Sequence, residues 1–178
     1  MVKLNLSSQI VLNKVPEEFY HPKTAVELSE LTRCEKLPTT IFPKTEEGAL
    51  SIATTIANAI RQKQQSGQYC VLGLGTGSSL TPVFNELIRL HKEEKLSFSN
   101  VVVFNAYEYF PLQPSAKNST LNQLKERLLN HIDINPQNVF TLEGTVPQER
   151  VQESCRLYEQ RIQSFGGIDI MLLGIGRI

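Results

Sequence analysis

Four apolar residues in succession, Val101-Val102-Val103-Phe104, limit how this chain can fold more than any other feature. Neighbouring side chains of a strand point to opposite faces, so an unbroken β-branched run leaves neither face for water. Such a strand needs cover on both sides, which is the habit of parallel sheets layered between helices. The stretch Tyr69 to Leu74 has the same character. Around these runs the spacing turns helical. From Thr45, with Glu46 and Glu47 in the first turn, Ala49, Leu50, Ala53, Ile56, Ala57 and Ile60 fall on one stripe, and Gln64 to Gln68 with Gly67 ends it. Strands alternating with helices of ~10 to 15 residues predict an α/β chain with a doubly wound, mostly parallel sheet and helices on both faces.

The segment Cys70 to Pro82 reads as strand, loop and helix. Gly73, Gly75 and Gly77 are expected to permit positive φ and close backbone approach, and Thr76, Ser78 and Ser79 bring hydroxyls beside free N–H groups. A helix opening at Leu80 or Thr81 would aim its N-terminus at the same spot, favouring a phosphate by roughly 0.3 to 1 kcal/mol. The competing reading is a tight connection with no ligand. The spacing is Gly-x-Gly-x-Gly and no Gly-Lys-Ser/Thr follows, which argues for a phosphate rather than a dinucleotide or ATP. Gly75, Thr76, Gly77, Ser78 and Ser79 are therefore the candidate phosphate ligands. At the carboxyl end of the valine strand stands Asn105-Ala106-Tyr107-Glu108-Tyr109, on the side where open α/β sheets hold ligands, so the two polar clusters are expected to share a crevice. Glu108 reads equally as a site carboxylate or a solvated loop residue.

Lysine plus arginine balance aspartate plus glutamate at 18 each, which leaves no basic field for nucleic acid or an anionic membrane. Cys34, Cys70 and Cys155 are odd in number and far apart, which fits reduced thiols and a cytoplasmic protein. Neither a signal peptide nor a membrane span is visible. Residues 1–37 read as an N-terminal extension packing on a neighbouring domain or subunit, which leaves a homo-oligomer open, and the regular fold is expected over 38–178, from a short strand at Thr39 to Phe42. A second helix, Thr81 to about Lys92, should bury Phe84, Leu87 and Ile88. A third, capped by Ser119 or Thr120, should bury Leu121, Leu124, Leu128 and Leu129. Asn138 to Leu142 reads as a strand. A helix from about Pro147 should bury Val151, Cys155, Tyr158 and Ile162, and Gly166-Gly167 stops it before a strand from Ile168 to Leu173. His91 and His131 sit where structural use outweighs catalysis. The ending Gly174-Ile175-Gly176-Arg177-Ile178 is a glycine turn without its following helix, which predicts a truncated protein.

These pieces together resemble the glucosamine-6-phosphate deaminase (isomerase) family over roughly Leu31 to Ile178. The likeness rests on Leu72-Gly73-Leu74 with Thr76-Gly77-Ser78, on Glu86 to Lys92, on Leu96-Ser97-Phe98 with Asn100-Val101-Val102, and on Phe104-Asn105 with Glu108-Tyr109. It continues in His131-Ile132-Asp133-Ile134, Tyr158-Glu159, Gly167-Ile168-Asp169 and Gly174-Ile175-Gly176. The opening and ending are most similar to the longer bacterial members. The resemblance implies a Rossmann-like sheet, incomplete at its C-terminus, and conversion of glucosamine 6-phosphate to fructose 6-phosphate and ammonia without metal or cofactor. It implies that Thr76, Gly77 and Ser78 bind the substrate phosphate and that Glu108 matches the second residue of the family's Asp-Glu-Tyr motif. Tyr107 stands at the aspartate that shuttles the C2 proton, Ala106 replaces a larger apolar residue, and Gly75 and Leu80 stand where the family has prolines. The family's ring-opening histidine and later phosphate-binding arginine and lysine would fall beyond Ile178. Two classes of function follow, a deaminase and a silent sugar-phosphate binder. A 6-phosphogluconolactonase ranks third, because that family shows Asp-Glu-Arg where this chain has Tyr107-Glu108-Tyr109.

Overall fold

In a computed structural model of the protein, residues 23–33 and 39–175 are described. The chain divides into two compact units, Met1–Gly48 and Ala49–Ile178. In the first, helix α1 (Ala25–Thr32) opens on a capping box: Thr24 Oγ1 accepts from the Glu27 N–H at 3.1 Å, and Glu27 Oε2 accepts from the Thr24 N–H at 3.2 Å. Within the stretch expected as an extension, the Thr24-x-x-Glu27 spacing is the signal of this helix start. Residues 39–42, expected as a strand, carry none. Pro43 ends the segment without an amide donor, and Phe42 turns to Gly48, where an added Cβ would lie 3.3 Å from its ring. Cys34 lies outside the described residues.

The second unit holds a four-stranded sheet in the order β3-β2-β1-β4, with every pairing parallel: β1 (Cys70–Leu74), β2 (Val101–Asn105), β3 (Val139–Phe140) and β4 (Ile170–Leu172). Helices α2 (Thr45–Gln65), α3 (Thr81–Glu94), α4 (Thr120–Arg127) and α5 (Val151–Ser164) alternate with the strands. Both central strands are buried throughout, as their sequences demand. Leu72, Leu74, Val101 and Val103 meet Ala53, Ile56 and Ile60 of α2, Phe84 and Leu87 of α3, and Leu124 of α4. Val71, Val102 and Phe104 face the other way, against Phe140, Tyr158, Ile162 and Phe165. The alternation that forbids a wet face thus separates two cores.

Several boundaries differ from the sequence reading. Leu50 is exposed, since it lies further round α2 than the stripe of Ala53, Ile56 and Ile60. Ile88 is half-buried and Leu90 takes the core position. No residue of α5 is fully buried, and Cys155 is exposed rather than on a core stripe. The sheet beneath α5 is narrow, so Tyr158, Ile162 and the following Phe165 do its packing. Gly67, Gly166 and Gly167 adopt positive φ at the ends of α2 and α5, as helix stops require. His91 donates from Nδ1 to the Leu96 carbonyl at 2.7 Å and His131 from Nε2 to the Glu126 carbonyl at 3.0 Å, so both histidines tie off helix ends. No helix among the described residues is long and apolar enough to cross a membrane.

Candidate functional site

Parallel register decides where the polar residues meet. Leu74 of β1 is level with Asn105 of β2 on one side and Leu172 of β4 on the other. Three chain segments therefore leave the sheet at one height. The Ala106 N–H donates to the Leu74 carbonyl and the Gly75 N–H to the Leu172 carbonyl, each at 2.9 Å, so the first residue of two of these loops is still held by a neighbouring strand.

Past Gly75 the glycine loop opens toward solvent. Thr76 is buried at 4% exposure, Gly77 is half-buried, and Ser78 and Ser79 are exposed. A short 3-10 turn over Ser78–Leu80 leads into α3, with Pro82 in the first turn. Among the described residues, the N–H groups of Gly77, Ser78 and Ser79 have no protein acceptor. They sit with the Ser78 and Ser79 hydroxyls at the N-terminus of a 14-residue helix, an arrangement suited to an anion.

The glycines work differently from the expectation. None of Gly73, Gly75 and Gly77 has positive φ; Gly77 lies at φ −55° and ψ 148°, open to any residue. What the sequence needs is room. A Cβ on Gly73 would run into the Met171 side chain, whose Cε would be 2.8 Å away, and a Cβ on Gly174 would come within 2.9 Å of Ser79 Oγ. At Gly77 an added Cβ meets only Ser79 Oγ, at 3.6 Å.

Tyr107 comes from the loop after β2 and reaches the glycine loop. Its phenol oxygen lies 3.3 Å from Thr76 Oγ1, and its ring passes beside Gly75. The two polar clusters of the sequence meet through this contact. Tyr109 stacks edge-on against Tyr107, with centroids 6.1 Å apart, and both rings are exposed. Asn105 fixes the base of the loop. Its Nδ2 donates to the Tyr107 carbonyl and to Thr120 Oγ1, while its Oδ1 accepts from the Leu142 N–H and the Tyr158 hydroxyl, so its hydrogen-bonding capacity is full.

Glu108 points to another place. Its carboxylate takes the Thr120 N–H at 3.0 and 3.1 Å, the Ser119 hydroxyl at 2.9 Å and its neighbour's N–H, that of Tyr109, at 3.0 Å. Thr120 Oγ1 lies 2.9 Å from the same carboxylate and 2.7 Å from the Tyr107 carbonyl. Ser119, expected to cap α4 with its own hydroxyl, makes no cap bond; the carboxylate eleven residues back caps the helix. Burial alone would push the Glu108 carboxyl up, but the N–H groups of Thr120 and Tyr109 and the hydroxyls of Thr120 and Ser119 hold it below the ordinary carboxylate value. On its outer side Glu108 borders a cavity of about 300 Å³ lined by Leu112, Pro114, Leu121, Thr141 and Gly144.

One residue at the site escaped the sequence reading. Arg127, in the last turn of α4, donates from Nη1 to the Thr76 carbonyl at 2.7 Å. A basic residue at a helix C-terminus reads by default as a partner of the dipole, so nothing local distinguishes it. Among the described residues no group of three or more His, Cys, Asp or Glu is placed to hold a metal ion.

Comparison with known proteins gives the same region a context. The sequence model of the family described as glucosamine-6-phosphate isomerases/6-phosphogluconolactonase matches residues 43–177. A glucosamine-6-phosphate deaminase-like protein of Bacteroides thetaiotaomicron is 58% identical over 177 residues, which is 99% of this chain and 27% of that protein. Glucosamine-6-phosphate deaminase 2 of Giardia intestinalis is 42% identical over 133 residues, 75% of this chain and 48% of its own length. Among solved structures, a monomeric glucosamine-6-phosphate deaminase aligns with a TM-score of 0.69 at 37% identity, covering 75% of this chain and 53% of that one. A 6-phosphogluconolactonase of Thermotoga maritima, with a TM-score of 0.54 at 22% identity over 70% of this chain and 56% of its own, shares the fold. The chain thus spans between about a quarter and about half of the length of these relatives.

Proposed function

This chain belongs to the glucosamine-6-phosphate isomerase/6-phosphogluconolactonase family, and from that premise we propose that it forms the phosphate-holding part of a site for an amino sugar phosphate. The reaction class is that of the deaminases, in which an aldose phosphate becomes a ketose phosphate and ammonia leaves. Residues 38–178 act as the N-terminal portion of that isomerase domain and residues 1–37 as its extension. The observation that carries the reading is the row of N–H groups at Gly77, Ser78 and Ser79 that have no acceptor among the described residues, at the mouth of α3 and beside Tyr107. A phosphate there would accept from the loop amides and from the Ser78 and Ser79 hydroxyls, leaving the sugar to extend toward Tyr107. Such a charged substrate belongs to the cytoplasm, where Cys70 and Cys155 would also stay reduced.

A second reading, binding with little or no turnover, is favoured by the two residues nearest the place of a base. Moving a proton from C2 to C1 needs a group ionised near neutral pH within ~3 Å of the carbon. A carboxylate meets that condition and a phenol does not. Here the phenol of Tyr107 faces the loop, while the Glu108 carboxylate is occupied at the α4 N-terminus. Loss of a positioned base typically costs ~10² to 10⁴ in rate.

Calorimetry on the intact protein tests the site, and exchange tests the chemistry. Because a side chain at residue 77 has room in the fold, Gly77→Val should weaken glucosamine 6-phosphate binding without lowering the unfolding midpoint. Unchanged binding in that variant removes the loop from consideration. In deuterated water, slow exchange at C2 in the wild type and a large gain in Tyr107→Asp are expected for the binding-only site; rapid wild-type exchange would show a working deaminase.

A further inference from the structure

We propose that Arg127 is a positioning residue for the anion: it fixes the Thr76 peptide so that the Gly77 N–H is aimed at the phosphate before it arrives. The proposal rests on the reading of the glycine loop as a sugar-phosphate site. In a trans peptide the carbonyl and the following N–H point in opposite directions. The bond from Arg127 Nη1 to the Thr76 carbonyl, 2.7 Å long and spanning 51 residues of sequence, therefore holds the Gly77 N–H away from α4. That N–H is one of the groups with no protein acceptor among the described residues.

The anchoring is graded along the loop. The Gly75 N–H is tied to Leu172 of β4, the Thr76 hydroxyl faces Tyr107, and the Thr76 carbonyl is tied to α4. Among the described residues, the N–H groups of residues 77–79 have no such tie, and the 3-10 turn that begins at Ser78 is closed by the Leu80 N–H on the Gly77 carbonyl. Arg127 makes the last fixed point before the anion-binding amides. A donor already facing its ligand spares the cost of turning a solvated peptide during binding.

Charge adds to geometry. A guanidinium stays protonated at any physiological pH. Among the described residues Arg127 is the only cation hydrogen-bonded to residues 74–80, and it forms no ion pair with a carboxylate. The two contributions separate by substitution. Glutamine can still donate to the Thr76 carbonyl but brings no charge, lysine brings both through a single point donor, and methionine brings neither.

The test is calorimetry of inorganic phosphate and of glucosamine 6-phosphate on the intact protein. Arg127→Met is expected to weaken both ligands at least tenfold, whereas Arg127→Gln and Arg127→Lys stay within about threefold of wild type. Met binding like wild type, or Gln falling as far as Met, overturns the proposal, the latter because charge alone would then be responsible. A measurement on the wild type covers the case in which Arg127→Met does not fold: the Gly77 amide resonance should move on adding phosphate more than those of residues 81–94, and a still Gly77 resonance overturns the proposal. Gly77→Val distinguishes the two levels of the argument. If it leaves phosphate binding intact, the loop itself is the wrong site; if it abolishes binding while Arg127→Met does not, only the assignment to Arg127 fails.

Discussion

At the scale of single residues, Glu108 shows how one side chain can be found and misplaced by sequence. Its position after a buried strand marks it, but Ser119 and Thr120 are themselves good capping residues, so nothing in the sequence says that a carboxylate from the preceding loop caps α4 in their place. The consequence is a pH-dependent contribution to stability. The folded carboxyl sits below its ordinary value of 4.5, so the unfolded chain binds the proton more readily. The stabilisation is complete above about pH 4.5 and is lost as the pH falls through the depressed folded value. Glu108→Ala should lower stability by ~1 to 2 kcal/mol at pH 7, a typical cost for a lost cap. Urea titrations at pH 7 and pH 3 check this: the gap between wild type and variant should shrink at the lower pH, and a constant gap contradicts the carboxylate as its source. Tyr107 was legible as a substitution against a resembled motif. Its contact with Thr76 was not, because the two are 31 residues apart and meet only through the register of β1 and β2.

Among elements, the ones read most securely were those whose whole surface is committed. The valine strand and the α2 stripe have one burial solution each, and both appear as expected apart from Leu50. Partial commitment defeated the reading elsewhere. β3 keeps only two of five expected residues, since it pairs with β2 alone and joins the sheet through Val103 and Phe104. The loop between β2 and α4 depends on a close approach that composition does not reveal. The Leu112 N–H donates to the Gly144 carbonyl at 2.8 Å, and a Cβ on Gly144 would stand 2.6 Å from the Leu112 carbonyl oxygen and 2.7 Å from that of Tyr109. These obstacles are backbone, so they cannot swing aside. Gly144→Ala should therefore cost ~1 to 3 kcal/mol, the range for forcing atoms into a packed region. Guanidinium unfolding measures it, and wild-type stability in the variant would mean that this loop moves freely around Gly144.

On the scale of the whole molecule, fold class was legible and assembly of the site only partly so. Alternating periods gave the parallel sheet, because burial on two faces and burial on one stripe leave different traces in a sequence. Sites are made by loops from separate strands, and their mutual distances leave no trace. The described residues bring to the loop one tethered cation and a phenol, with the Glu108 carboxylate engaged at the α4 N-terminus. A polypeptide of these 178 residues alone should accordingly show no release of ammonia from glucosamine 6-phosphate in a coupled assay, and measurable turnover would contradict that expectation.

The bond from the Gly75 N–H to the Leu172 carbonyl joins points about 100 residues apart. During synthesis at ~5 to 20 residues per second, the glycine loop leaves the ribosome ~5 to 20 s before the strand that clamps it exists. Until then Gly174 cannot close over Ser79, and β1 carries an open edge. The loop would thus take its final shape late, when β4 emerges, and a ribosome stalled before that point would display a loop with the right sequence and neither the Gly75–Leu172 bond nor the close approach of Gly174 to Ser79.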